Sequence, residues 1–184
     1  GVDGFRLDTI NFYVHDKALR SNPGLPADQR DASIAPRVNP YNHQLHLYSK
    51  NQPENLDFLR RFRAVLEEYP AAAAVGEVGD AQKGLEIMAE YTAGGDKVQM
   101  CYSFDFLSGH APTADRFADV LAKAEAILAD GWACYAFSNH DVIRHPSRWN
   151  LPPAGLRALT TLMMCLRGSL CLYQGEELGL TEAE

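Results

Sequence analysis

The sequence predicts an α/β fold with a parallel sheet. The main observation is regular alternation, along the whole chain, of short apolar runs of strand length with amphipathic helical stretches. Such alternation implies right-handed βαβ units. A second observation is that acidic residues recur where three of the apolar runs end. Two closures fit, an open doubly wound sheet and a (β/α)8 barrel. No Gly-x-Gly-x-x-Gly follows any strand, so a dinucleotide-binding open sheet has no support.

The elements follow in order. Gly4-Phe5-Arg6-Leu7 begins a buried strand, and a short helix is expected over 14–19, broken by Asn22-Pro23-Gly24. A long loop with Pro36, Pro40 and three histidines (His15, His43, His46) runs on to Pro53, which suits the first turn of a helix. Phe58, Leu59, Phe62, Val65 and Leu66 then fall on one helical face, ended by Pro70. A strand is expected over 71–78, a helix over 82–91 with Leu85, Met88 and Ala89 on one side, and an alternating, aromatic-rich strand over 98–106. Residues 114–129 form an amphipathic helix carrying Phe117, Val120, Leu121, Ala124 and Leu128 on one face. A strand over 132–137, a proline-containing loop, a helix over 154–166 and a fifth strand over 169–173 complete the chain.

Composition sets bounds. The chain has 184 residues, 46% hydrophobic, which is enough for one core, and a formal net charge of -7. The acidic balance and the lack of any Lys/Arg-rich run argue against a nucleic-acid or anionic-membrane partner. No apolar segment is long enough to cross a membrane. Cys101, Cys134, Cys165 and Cys171 lack metal-ligand spacing and read as small buried hydrophobes, so neither a disulfide framework, a metal nor a cofactor is expected. Unpaired cysteines lean toward a cytoplasmic location. The chain opens without methionine, directly into a strand, and is expected to be the later part of a longer protein.

The polar strand ends carry the chemistry. Asp8 ends the first strand, Glu77 the second, and His140-Asp141 follows the fourth. In a parallel α/β fold these positions share the C-terminal face of the sheet. Neighbouring strands are about 4.8 Å apart, so carboxylates on adjacent ends approach the about 5–5.5 Å separation that suits a retaining glycosidase. Arg6 lies on the face of Asp8 and favours its ionised form. Glu77, between Val75 and Val78 with no cation beside it in sequence, is expected to be desolvated and protonated, as a general acid requires. Asp141 is placed to hold sugar hydroxyls, and His140 to donate a hydrogen bond to one. Taken singly, each of these residues also fits an ordinary strand-end turn or ion pair.

In order, Gly4-Phe5-Arg6-Leu7-Asp8, Gly76-Glu77-Val78 and Phe137-Ser138-Asn139-His140-Asp141 resemble three signature regions of the α-amylase superfamily, glycoside hydrolase family 13. Tyr173-Gln174-Gly175-Glu176-Glu177-Leu178-Gly179 resembles its strand-eight segment. Within the family the chain is most similar to the bacterial α-glucosidase and oligo-1,6-glucosidase branch. The resemblance implies strands four to eight of a (β/α)8 TIM barrel over residues 1–184, without the first three strands, the inserted domain or the C-terminal β-domain. It implies Asp8 as nucleophile, Glu77 as acid/base and Asp141 as transition-state stabiliser. Arg6 would orient Asp8, His140 would contact the same sugar, and Arg144 would close the pocket around the terminal glucose. Thr9 resembles members that prefer α-1,4 over α-1,6 links. The implied partner is an oligosaccharide or α-glucoside, and glucose release, glucosyl transfer or another activity of the superfamily, and a non-catalytic binding role remain as readings. Leu170 departs from the proline common at that position. A piece of barrel with open sheet edges is expected to have little activity alone.

Overall fold

The computed structural model describes residues 1–30, 38–80 and 82–183, so Pro36 and the rest of 31–37, in the expected long loop, lie outside the described residues. Strands β1 (Gly4–Leu7), β2 (Ala73–Val78) and β3 (Met100–Ser103) form one parallel ladder in chain order. Strands β4 (Cys134–Tyr135) and β5 (Ser169–Leu170) form a second parallel pair. A parallel bridge between Cys101 and Ala133 joins the two ladders. The strands therefore follow one another side by side, as consecutive right-handed βαβ units require.

The helices are α1 (Asn55–Leu66), α2 (Gly84–Thr92), α3 (Ala114–Leu128), α4 (His145–Arg148) and α5 (Pro153–Met164). Thr113 caps α3 by accepting the Arg116 amide at 3.3 Å, and Pro153 occupies the first turn of α5, where its missing N–H is not needed.

Period-two alternation divides the sheet into two faces. Leu7, Ala74, Val78 and Cys101 join Leu59 and Leu66 of α1, Ile87, Met88 and Tyr91 of α2, and Ala124 and Leu128 of α3. Burying a leucine such as Leu59 this completely stabilises the fold by about 1.5–3 kcal/mol. A Cβ at Gly76 would press on the tip of the Ile10 side chain and on Cys101 Sγ, so a larger residue there would shift the core. Val75, Met100, Tyr102, Cys134 and Ala136 gather on the opposite side with Leu107. A third cluster, Phe106, Phe117, Phe137 and Met163, packs α3 and α5 over the end of β4.

Several expectations need correction. Residues 14–19 are not helical: the Asp16 carboxylate accepts the Arg20 amide at 3.2 Å and pairs with its guanidinium at 2.6 Å, and Leu19 takes a left-handed φ of 53°. A side chain that bonds the local backbone in this way competes with helix formation. Strands three to five are shorter than the apolar runs, because the aromatics after Ser103 and Tyr135 turn into loops and pack there. Phe58 and Val65 are exposed although they share the periodic face of α1. Cys101 and Cys134 are buried, whereas Cys165 and Cys171 are exposed, so only two of the four cysteines behave as core residues; all four are free.

Candidate active site

Register places the first cluster. Glu77 lies opposite Tyr102 in the β2–β3 ladder, and Arg6 lies opposite Val75, two residues before Glu77 on the same face. The three side chains therefore converge beyond the C-terminal ends of the strands. Arg6 is held between two carboxylates: Nη1 pairs with Asp8, and Nη2 lies 2.7 Å from Glu77 Oε2. The expectation that Glu77 has no cation beside it holds in sequence but fails in space, because the β1–β2 register brings Arg6 to it.

Environment separates the two acids. The Glu77 side chain is 2% exposed and that of Asp8 71% exposed. Burial raises the Glu77 carboxyl above its ordinary range, against the opposing pull of the Thr9 amide, Arg6 and Tyr102. Asp8 is lowered, chiefly by its hydrogen bond from Arg6. Burial works against the Arg6 cation, but the hydrogen bonds to Tyr102 and Asp8 override it and keep the charge firmly in place.

Two residues complete the cluster in ways the sequence did not show. Tyr102 Oη accepts from Arg6 Nη2 at 2.8 Å and donates to Glu77 Oε1 at 3.1 Å. Nothing local marks it out, since its role depends on a cross-strand register. Thr9 donates its backbone N–H to Glu77 Oε2 at 3.2 Å and its hydroxyl to Asp8 Oδ2 at 3.4 Å. It does so in a left-handed conformation (φ 36°, ψ 54°), unusual for a β-branched residue and a strain of order 1–3 kcal/mol.

Behind the cluster a polar network fixes the loops. Asn11 Oδ1 accepts the Gly79 amide at 3.0 Å and its Nδ2 donates to Asn51 at 2.8 Å; Asn51 in turn donates to Asp80 at 2.8 Å. Lys50 Nζ sits 3.0 Å from Asp80 and donates to Tyr41 Oη at 3.0 Å. Burial opposes the Asp80 charge, but the Lys83 amide, Lys50 and Asn51 hold its carboxyl below the usual range. A cleft of about 210 Å³ opens beside this network, lined by Tyr41, His46, Lys50, Asp80 and Lys83 among others.

The remaining expected residues form separate contacts. His140 Nε2 lies 3.5 Å from Asp141 Oδ2, and both side chains are more than half exposed. The Asp141 amide donates to Asn139 Oδ1 at 2.9 Å, the expected Asx-type turn. Arg144 donates to the Gln174 carbonyl at 2.6 Å and lies over the Tyr173 ring at 4.5 Å. Arg6, Asp8, Thr9 and Glu77 are thus brought together, while His140, Asp141 and Arg144 stand beyond β4 with no described bond to that cluster. Among the described residues no group of three His, Cys, Asp or Glu is arranged to hold a metal ion, and no helix is long and apolar enough to cross a membrane.

Tyr102→Phe tests this electrostatic arrangement. The hydroxyl stabilises ionised Glu77, so its loss raises the Glu77 pKa further. If Glu77 must be protonated to work, the alkaline limb of the pH–rate profile moves to higher pH in the variant, measured as kcat/KM against pH; a limb that stays or moves down contradicts the arrangement.

Parallel strands with charged groups gathered at their C-terminal ends suit the class of (β/α)8 barrel proteins, and the comparisons show this chain to be part of such a barrel. The chain belongs to the alpha-amylase family: the profile of the alpha amylase catalytic domain matches residues 1–184. It is 61% identical to the probable alpha-glucosidase of Rhizobium meliloti (strain 1021), covering 100% of this chain and 34% of that protein. It is 30% identical to the alpha-glucosidase of Candida albicans, covering 98% of this chain and 32% of that one. Among solved structures, the alpha-glucosyl transfer enzyme XgtA superposes with a TM-score of 0.91 at 48% identity, over 100% of this chain and 34% of XgtA. The trehalose-6-phosphate hydrolase of Bacillus licheniformis, with a TM-score of 0.74 at 22% identity, shares the fold. The chain spans about a third of the length of these relatives.

Proposed function

We propose that residues 1–184 are the second half of the catalytic barrel of a retaining α-glucosidase, with the first three strands, an inserted domain and a C-terminal β-domain supplied by the rest of a longer protein. The observation that carries this reading is one guanidinium gripping two carboxyl groups of opposite tendency, Asp8 ionised and exposed, Glu77 buried with a raised pKa. Two carboxyl groups bonded to one guanidinium support the narrow pair of a retaining mechanism over the wider pair of an inverting one.

In this reading Asp8 attacks the anomeric carbon of a non-reducing terminal glucose while Glu77 gives its proton to the departing glycosidic oxygen. A covalent glucosyl ester on Asp8 results. Glu77, now ionised, takes a proton from water, whose oxygen attacks the same carbon and releases Asp8. Arg6 keeps Asp8 ionised and aimed. Asp141 and His140 hold ring hydroxyls, and Arg144 closes the glucose pocket from the far side. The names of the relatives support an α-glucoside as substrate. A sugar hydroxyl in place of water gives transfer instead of hydrolysis, and the similarity to an alpha-glucosyl transfer enzyme favours that second outcome as an accompanying activity.

The test is glucose release by the full-length protein from maltose and from isomaltose. Faster release from maltose is expected, in keeping with Thr9 beside the nucleophile. Preference for isomaltose keeps the mechanism and overturns the α-1,4 assignment. No glucose from either removes the α-glucosidase reading in favour of another activity of the superfamily or a binding role.

A further inference from the structure

We propose that Ser138, His145 and Glu176 form a buried clamp that positions the 139–144 loop, and with it Asp141 and Arg144, for the reaction proposed above, on which this inference rests. None of the three touches the Arg6–Asp8–Glu77 cluster, and they sit almost wholly out of solvent: Ser138 is 1% exposed, His145 0% and Glu176 3%. Ser138 and His145 stand at the two feet of the loop. Ser138 Oγ accepts the His145 amide at 2.9 Å and lies 3.1 Å from its Nδ1. The same Nδ1 is 2.7 Å from Glu176 Oε1, and Glu176 Oε2 accepts the Tyr173 amide at 2.8 Å. The imidazole is therefore bonded to the segment after β4 at the start of α4 and sits directly against the Glu176 carboxylate of the segment after β5.

The surroundings hold this hub rigid. The His145 ring is walled by Phe137 and Trp149, with centroids at 5.7 and 5.5 Å. Arg148 donates to the carbonyls of Phe137 at 2.6 Å, Ile143 at 2.6 Å and Phe106 at 3.0 Å. Burial pushes the Arg148 guanidinium down to about 10, with Glu176 as the opposing influence. His145 Nε2, Arg148 Nε and Glu176 Oε1 have no hydrogen-bond partner among the described residues, so the His145–Glu176 contact is a close approach of imidazole and carboxylate rather than a hydrogen bond.

Such a cluster is a poor way to gain stability. Buried ionic groups are often replaced by apolar side chains of similar volume without loss. Its place calls for another account. The loop it closes carries Asn139, which is buried, and His140, Asp141 and Arg144, exposed or half-buried side chains whose placement depends on the backbone beneath them. A misplacement of about 1 Å in a reacting constellation costs on the order of a hundredfold in rate. Arg144 is bound to the same segment, through Gln174, that Glu176 anchors. Ser138, His145 and Glu176 are positioning residues acting through Asp141.

The experiment is a double-mutant cycle in the full-length enzyme, after wild-type glucose release from maltose is established; absence of that release defeats the proposed function and not the clamp. Ser138→Ala is expected to lower kcat/KM about 10- to 100-fold with both pH limbs unmoved, and Ser138→Thr to recover most of it. In an Asp141→Asn background, Ser138→Ala is expected to have less than about a threefold further effect. Equal losses in both backgrounds, or no loss in either, overturn the proposal. A readout independent of catalysis is amide hydrogen exchange. Residues 139–144 exchange faster in Ser138→Ala while β1–β3 are unchanged, and unchanged exchange in the loop overturns the clamp whatever the activity. Should Ser138→Ala fold poorly, Glu176→Gln repeats both tests, since it keeps shape and the acceptor for the Tyr173 amide.

Discussion

Glu77→Gln is expected to lower kcat/KM for maltose by about 10²–10⁴-fold in the full-length protein. The substitution keeps the volume of a side chain buried at the end of β2; its one oxygen still accepts from the Thr9 amide, and its new NH2 faces the Tyr102 hydroxyl, which can turn to accept it, so the fold is expected to be preserved. What it removes is the proton delivered to the departing oxygen. The loss must then depend on the leaving group. A glucosyl fluoride, whose leaving group needs no protonation, is expected to suffer much less than maltose in the first step. The pH profile carries a second signature. Burial raises the Glu77 carboxyl, so wild-type activity falls as pH rises through that elevated pKa and the acid loses its proton. Glu77→Gln has no such proton to lose, and its alkaline limb disappears. An equal loss on fluoride and maltose, with the alkaline limb intact, assigns the acid to another residue.

Asp8→Asn is expected to remove turnover by about 10⁴-fold or more, because no covalent intermediate can form. Folding is not at risk. The Asp8 side chain is 71% exposed, and Arg6 retains Glu77 and Tyr102 when it is lost. The melting temperature is expected to stay within a few degrees of the wild type, as for surface substitutions. The interaction with Asp8 also helps hold Glu77 protonated, so in Asp8→Asn the Glu77 carboxyl titrates at lower pH than in the wild type, readable by carboxyl NMR. Added azide gives a chemical test. It attacks the anomeric carbon from the vacated side while Glu77 protonates the leaving sugar, giving a β-glucosyl azide. Formation of that product identifies Asp8 as the nucleophile; turnover near wild type without azide sinks the assignment.

The acids differ only by surroundings, and this bears on pH behaviour as a whole. Asp8 is lowered chiefly by Arg6, so on the proposed assignment activity is expected to be lost on the acid side only as pH falls through that depressed value. The raised Glu77 value sets the other boundary. A single arginine between them widens the working range from the acid side without removing the proton from Glu77.

By itself the sequence determined the class of fold and pointed to Arg6, Asp8, Thr9 and Glu77 of the first cluster, though not to Tyr102. Alternation of strand-length and helical apolar runs survives as five parallel strands with their crossover helices, because each element's hydrophobic period is a local property. Arg6 and Asp8 pair because residues two apart on an extended segment share a face. Where propensity was weak, local side-chain bonding prevailed, as Asp16 and Arg20 show in place of a helix. Only the tertiary structure decided the electrostatics. The β1–β2 register carries Arg6 to Glu77, the β2–β3 register brings Tyr102 across, and the left-handed turn at Thr9 points its amide at Glu77. The burial of Ser138, His145 and Glu176 against one another likewise joins residues as far apart as 138 and 176. The reason is physical: spacing along one element is written in the chain, but which groups meet across strands and loops, and how much water they keep, is set only when the elements pack.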